Sequence, residues 1–132
     1  MPLSQDDQVK YKALYLQTAR QYIDELQKNL HQLIQGTEID KVIDTLHRDA
    51  HSLKGQSLMM EYKSMGTISL LMEKIFEAKK ENKSELPEDI LVKLDEASRE
   101  MSDCLNIIAQ TSKEKNLSQA IESLKAYANI TI

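Results

Sequence analysis

His51 is the residue of this chain best placed for chemistry, because it lies in an amphipathic helical segment but outside the apolar stripe of that segment. At about 100° per residue, the apolar residues of the segment share one side of a helix. They are Ile39, Val42, Ile43, Leu46, Ala50 and Leu53. His51 projects about 130° from the centre of that stripe, on the side of Arg48 and Gly55. We therefore expect an exposed imidazole beside a glycine, a surface that another protein can approach closely.

Two further residues could equip this imidazole to capture a phosphoryl group. Lys54 follows three positions later, close enough on a helix to place an ammonium near a phosphate on the ring. Glu73 lies at the edge of the apolar stripe of a later segment, where its carboxylate could accept a hydrogen bond from the imidazole Nδ1–H. Such a bond would fix the tautomer and leave Nε2 as the unprotonated nucleophile.

Other chemistry finds little support in the sequence. His47 and His51 have the spacing of two metal ligands on one helix, but Arg48 stands where a metalloprotease helix needs its glutamate. The remaining histidine, His31, belongs to another segment, so we expect no metal site. No glycine-rich loop precedes a helix, so no ATP site of that kind is expected. Cys104 lies on an apolar stripe and is predicted to be a buried structural thiol.

The composition describes a protein of 132 residues with 41% hydrophobic and 29% charged residues. These values favour a soluble globular domain spanning residues 1–132. The formal net charge of −4 and the absence of a basic block argue against nucleic-acid binding. A single cysteine, no long apolar run and no signal-peptide pattern favour a cytoplasmic protein without a membrane segment.

Three glycines and two prolines leave long uninterrupted segments with helical periodicity. We expect helices at about 6–35, 38–58, 64–82, 87–112 and 118–129. Gly36 is predicted to cap the C-terminus of the first helix and Ser118 the N-terminus of the fifth. Met59 and Met60 are interpreted as core or loop packing. The predicted fold is all-α, an antiparallel four-helix bundle with a short additional fifth helix.

The run His51-Ser52-Leu53-Lys54-Gly55 resembles the signature of histidine phosphotransfer domains, and most closely that of the N-terminal domain of CheA-type chemotaxis kinases. Leu71-Met72-Glu73 resembles the family segment whose glutamate orients the phosphorylated ring. The resemblance covers nearly the whole chain, and the expected fifth helix also resembles the CheA form. The residues after Gly55 depart from the family pattern, since Gln56 replaces a second glycine.

The resemblance implies a carrier and not an enzyme. His51 would accept the γ-phosphoryl group of ATP from a separate histidine kinase catalytic domain, and a CheY-like response-regulator receiver would take it onto an aspartate. ATP and magnesium would belong to the kinase domain, and the chain itself would need no cofactor. Arg48, Ser52 and Gly55 would contact these partners, and the isolated domain would be monomeric.

The sequence leaves two alternatives open. The chain could serve a multistep phosphorelay, which uses the same chemistry with other partners. It could also be a helical interaction bundle in which the match around His51 is accidental. A Glu73 far from His51 in the fold would favour that second alternative.

Overall fold

The computed structural model describes residues 4–36, 39–82 and 86–131. Five α-helices account for nearly all of them. They are α1 (Gln5–Gln35), α2 (Ile39–Met59), α3 (Lys63–Asn82), α4 (Glu88–Thr111) and α5 (Ser118–Thr131). These ranges contain no β-strand, so the all-α expectation is confirmed. The expected start of the second helix at residue 38 lies outside the described residues.

The ends of α1 follow from its terminal residues. The Ser4 side chain accepts a hydrogen bond from the Asp7 backbone N–H at 3.1 Å, which satisfies one of the free donors of the first turn. Gly36 adopts a left-handed conformation with φ 77°, and its N–H donates to the carbonyls of Gln32 and Leu33. The expected glycine cap is therefore confirmed.

The turn between α2 and α3 uses a residue other than glycine in a left-handed conformation. Glu61 has φ 65°, and the N–H of the following Tyr62 donates to the carbonyl of Ser57 at 2.8 Å. The Glu61 N–H donates to Leu58, which completes the paired hydrogen bonds of a Schellman motif. This compact reversal brings α3 back against α2.

The prediction that Ser118 caps α5 is wrong. Asn116 carries out that role, since its Oδ1 accepts hydrogen bonds from the Ser118 N–H at 2.9 Å and the Ser118 hydroxyl at 2.7 Å. The Asn116 side chain lies two residues before Ser118 and closes a local turn with it. Ser118 is the first helical residue, so its side chain cannot accept a hydrogen bond from its own N–H.

Polar contacts between helices establish the antiparallel arrangement. Tyr15, early in α1, forms a buried hydrogen bond of 2.8 Å with Ser57, late in α2. Arg20 of α1 donates to Asn106 of α4 at 2.8 Å. The helix α5 packs against α3 and α4. The interior is filled by side chains from all five helices, the largest of which are Phe76, Ile23, Leu26, Leu30, Ile43, Leu46, Leu53, Met65, Ile68, Met72, Ile75 and Ile90.

The N-terminus of α3 is capped from a distant part of the chain. Both carboxylate oxygens of Glu114, in the α4–α5 connection, accept backbone N–H groups of α3, from Ser64 at 3.2 Å and from Met65 at 2.7 Å. A carboxylate at this end also interacts favourably with the helix dipole. Glu114 therefore ties the α4–α5 connection to the helix that carries Glu73.

We expect Glu114→Ala to lower the free energy of unfolding by about 1–2 kcal/mol, because two N–H groups of α3 lose their acceptor. Denaturant unfolding measures the loss, and faster amide hydrogen exchange at Ser64 and Met65 locates it. Glu122→Ala, at an exposed acid of α5, is the control and should change stability little. Equal effects of the two substitutions would contradict the capping role.

Candidate functional site

The exposed position of His51 follows from the amphipathic pattern of α2. Leu46, Ala50 and Leu53 are fully buried against the bundle. His51 lies on the opposite side near the middle of the helix, and its side chain is 63% exposed. The imidazole is thus carried by a rigid element and presented to solvent.

Glu73 reaches the imidazole from α3. Its neighbours Met72 and Ile75 are buried in the core, and this fixes the rotation of α3 so that Glu73 lies at the seam with α2. Lys80 of α3 pairs with Asp44 of α2 at 3.1 Å in the same antiparallel register. The Glu73 side chain is only 11% exposed, although it is ionisable.

The Glu73 carboxylate binds two partners on α2, one with each oxygen. Oε2 lies 2.5 Å from His51 Nδ1, and Oε1 lies 2.8 Å from Lys54 Nζ. The structure therefore brings together the three residues that sequence reasoning selected. A Glu73 far from His51 would have favoured a helical interaction bundle without phosphotransfer, and the structure places the two residues in contact.

The electrostatics of this cluster determine the tautomer of His51. Burial alone would raise the pKa of the Glu73 carboxyl, but hydrogen bonds from Lys54 and His51, together with their charges, lower that pKa below its ordinary value. Glu73 is therefore an ionised acceptor at neutral pH. Because a carboxylate can only accept, Nδ1 of His51 must carry the proton, and the neutral ring keeps its lone pair on Nε2.

The other residues expected to contact partners differ in their exposure to solvent. Arg48 and Gly55 are exposed, whereas Ser52 is half-buried. A methyl group built on Gly55 would meet no atom of a neighbouring segment within 4 Å. The fold therefore does not require a glycine at this position. A glycine here makes the helix less stable than an alanine would.

The residues considered for other chemistry lie elsewhere. Cys104 is fully buried, and burial raises the pKa of its thiol. His47 is half-buried, and no described group forms a hydrogen bond with its buried Nε2. Among the described residues, no three potential histidine, cysteine or carboxylate ligands converge on a point that could hold a metal ion.

Two features near the site were not anticipated from the sequence. The interpretation of Met59 as packing is wrong, since this side chain is 83% exposed at the end of α2. Asp49 is 6% exposed, although it is an acid. Its position was readable, because it follows Leu46 by three residues and precedes Leu53 by four, which places it on the buried side of α2.

We expect Glu73→Ala to change the tautomer of His51, because the Nδ1–H group loses its acceptor. Imidazole ¹⁵N chemical shifts, recorded at about pH 8 where a histidine is largely neutral, measure the change. The wild-type ring should be protonated at Nδ1, and the variant should show a larger share of the Nε2–H form.

The control is Glu77→Ala, at an exposed glutamate one turn further along α3. This substitution should leave the His51 shifts unchanged. A wild-type ring with its proton on Nε2 would show that Glu73 does not orient His51.

Comparison with known proteins identifies the family. A family model described as the Hpt domain matches residues 10–127. No curated protein and no solved structure matches the chain. None of the described helices is long and apolar enough to cross a membrane. The family match covers most of the chain and includes both His51 and Glu73, so the chain belongs to the Hpt domain family, whose members carry phosphoryl groups on a histidine in two-component signalling.

Proposed function

We propose that His51 accepts the γ-phosphoryl group of ATP from a CheA-type kinase domain and passes it to an aspartate of a CheY-like receiver. The observation that carries the proposal is the hydrogen bond between His51 Nδ1 and the ionised Glu73, because it leaves a lone pair on Nε2 of an exposed ring. ATP and magnesium belong to the kinase domain, which positions the phosphates. This domain acts as substrate and carrier.

The chemical step follows from that tautomer. The Nε2 lone pair attacks the γ-phosphorus, an N–P bond forms, and the bond from phosphorus to the bridging oxygen breaks to release ADP. The ring keeps its proton on Nδ1 and gains positive charge as the bond forms. The Glu73 carboxylate stabilises that charge, and it does so strongly because it is largely shielded from water.

Lys54 contributes a second charge to the same step. The Lys54 side chain is 24% exposed, and Glu73 holds its ammonium one helical turn from His51. Rotation of the lysine side chain brings the ammonium to the phosphoryl oxygens once they are attached to Nε2. Lys54 thereby offsets part of the negative charge that the phosphoryl group brings.

Both partners must approach His51 over the same surface. Arg48 offers a cation to the acidic pocket of a receiver, and Ser52 offers a hydroxyl. The bare backbone at Gly55 lets a partner come closer than any side chain would allow. Met59, which is exposed two turns beyond His51, adds an adaptable apolar contact. One monomer presents all of these groups.

We expect His51→Gln to abolish acid-labile, base-stable labelling by a CheA-type kinase core with labelled ATP and magnesium. The nucleophile is lost, whereas the exposed position tolerates a polar side chain, so the free energy of unfolding should change by no more than about 0.5 kcal/mol. Scintillation counting of the separated protein measures labelling.

His47→Gln is the matched control on the same helix, and the variant should still be labelled. The buried Nε2 of His47 cannot reach a γ-phosphorus. Labelling of His51→Gln at the wild-type level would show that the acceptor has been wrongly assigned.

We expect Gly55→Ala to raise the free energy of unfolding by about 0.5–1 kcal/mol, because alanine restricts the unfolded chain and meets no neighbour. Gly55→Gln should slow transfer to a receiver by obstructing its approach. Denaturant unfolding and the rate of loss of label to the receiver measure the two effects.

The other helical glycine provides a contrast. A methyl group at Gly66 would lie 2.5 Å from the Leu58 Cδ2 atom, so Gly66→Ala should gain less stability than Gly55→Ala. Transfer from Gly55→Gln at the wild-type rate would remove the argument that partners approach over this glycine.

A further inference from the structure

The seam between α1 and α2 contains a buried acid that phosphotransfer does not use. Asp49 of α2 is 6% exposed, and no N–H or O–H group of the described residues reaches its buried Oδ2. An ionised carboxylate in that position would lack the hydrogen bonds that it has in water, at a large cost in free energy. The side chain therefore needs either a cation or a proton.

The groups around Asp49 do not supply a sufficient cation. The antiparallel alignment marked by the Tyr15–Ser57 hydrogen bond brings Glu25 of α1 to the level of Asp49, and its carboxyl group raises the pKa of Asp49. On its own helix, Arg48 acts on it more weakly and with the opposite sign. On the other side of α2, Glu73 and Lys80 of α3 are engaged with partners of their own. Asp49 thus faces a second acid across the seam.

Two carboxyl groups in contact can form a hydrogen bond only when one of them keeps a proton. Burial first, and then the hydrogen bond and charge of Glu25, raise the pKa of Asp49 to about 7 against a smaller opposing effect of Arg48. Glu25 is exposed, so the pair can exchange its proton with solvent.

We propose that Asp49 and Glu25 share one proton and act as a pH-sensitive latch between α1 and α2, on the helical turn that carries His51. With the proton present, a carboxyl–carboxylate hydrogen bond joins the two helices. Without it, two negative charges repel each other across the seam, and one of them is buried. A buried hydrogen bond between Tyr15 and Ser57 also joins these two helices, and it does not depend on pH in this way.

The sign of the effect follows from proton linkage. The folded protein holds a proton on Asp49 that the unfolded chain releases near the ordinary pKa of 3.8. The stabilising contribution of the latch is complete below that value and is lost as the pH rises through about 7. The latch is independent of phosphotransfer, so its test uses unphosphorylated protein.

The first measurement is the melting temperature of the full chain from about pH 5 to about pH 8, for the wild type and Asp49→Asn. The difference between the two should increase with pH in favour of the variant, because the asparagine never acquires a buried charge. Both proteins contain the same three histidines, so histidine titration largely cancels in the difference. A difference that stays constant with pH would overturn the proposal.

Asp44→Asn, at an exposed acid of α2, is the control, and its difference from the wild type should not change with pH. The second measurement, which does not require Asp49→Asn to fold, is ¹³C NMR titration of the Asp49 carboxyl in the wild type. Its midpoint should lie near neutrality and fall in Glu25→Gln. A wild-type midpoint in the ordinary range of an aspartate would overturn the proposal.

Discussion

The register in which α2 packs against α3 is the constraint on which the site depends. His51 and Glu73 face each other only because the two helices run antiparallel with this alignment, which the surface pair of Asp44 and Lys80 repeats two turns away. A slip by one residue would rotate a side chain by about 100° around its helix and separate the imidazole from the carboxylate. Buried apolar residues on both helices prevent that slip, so core packing positions the nucleophile.

Around Glu73, one carboxylate serves two groups with different tasks. It accepts the imidazole proton and holds the Lys54 ammonium, and each oxygen is used once. Desolvation of Glu73 is unfavourable by itself, but it also strengthens both contacts, because water does not screen them well. The lowered pKa of Glu73 shows that the contacts outweigh the cost of burial. For a neutral imidazole, these contacts define one tautomer, with the proton on Nδ1.

The helical period of the apolar residues predicted the helices and the exposure of His51, because each helix displays this period independently of its neighbours. The contact with Glu73 required the family resemblance in addition, because no single helix encodes its register against another. The cap of α5 was wrongly predicted because Asn116 and Ser118 are both suitable capping residues. Only the structure shows that the Asn116 side chain accepts the hydrogen bond. The burial of Asp49 could be predicted from its helical spacing to Leu46 and Leu53. Its proximity to Glu25 of α1 could not, because it depends on how the two helices are aligned.

The capping of α3 by Glu114 has a consequence for synthesis of the protein. A ribosome makes the chain from its N-terminus, and the acceptor for the Ser64 and Met65 amides lies some fifty residues further along, so α1, α2 and the start of α3 are made before it. Until then α3 begins with unpaired donors, and its first turn is prone to fraying. The nascent domain therefore contains both His51 and Glu73 before it contains the residue that caps the helix of Glu73.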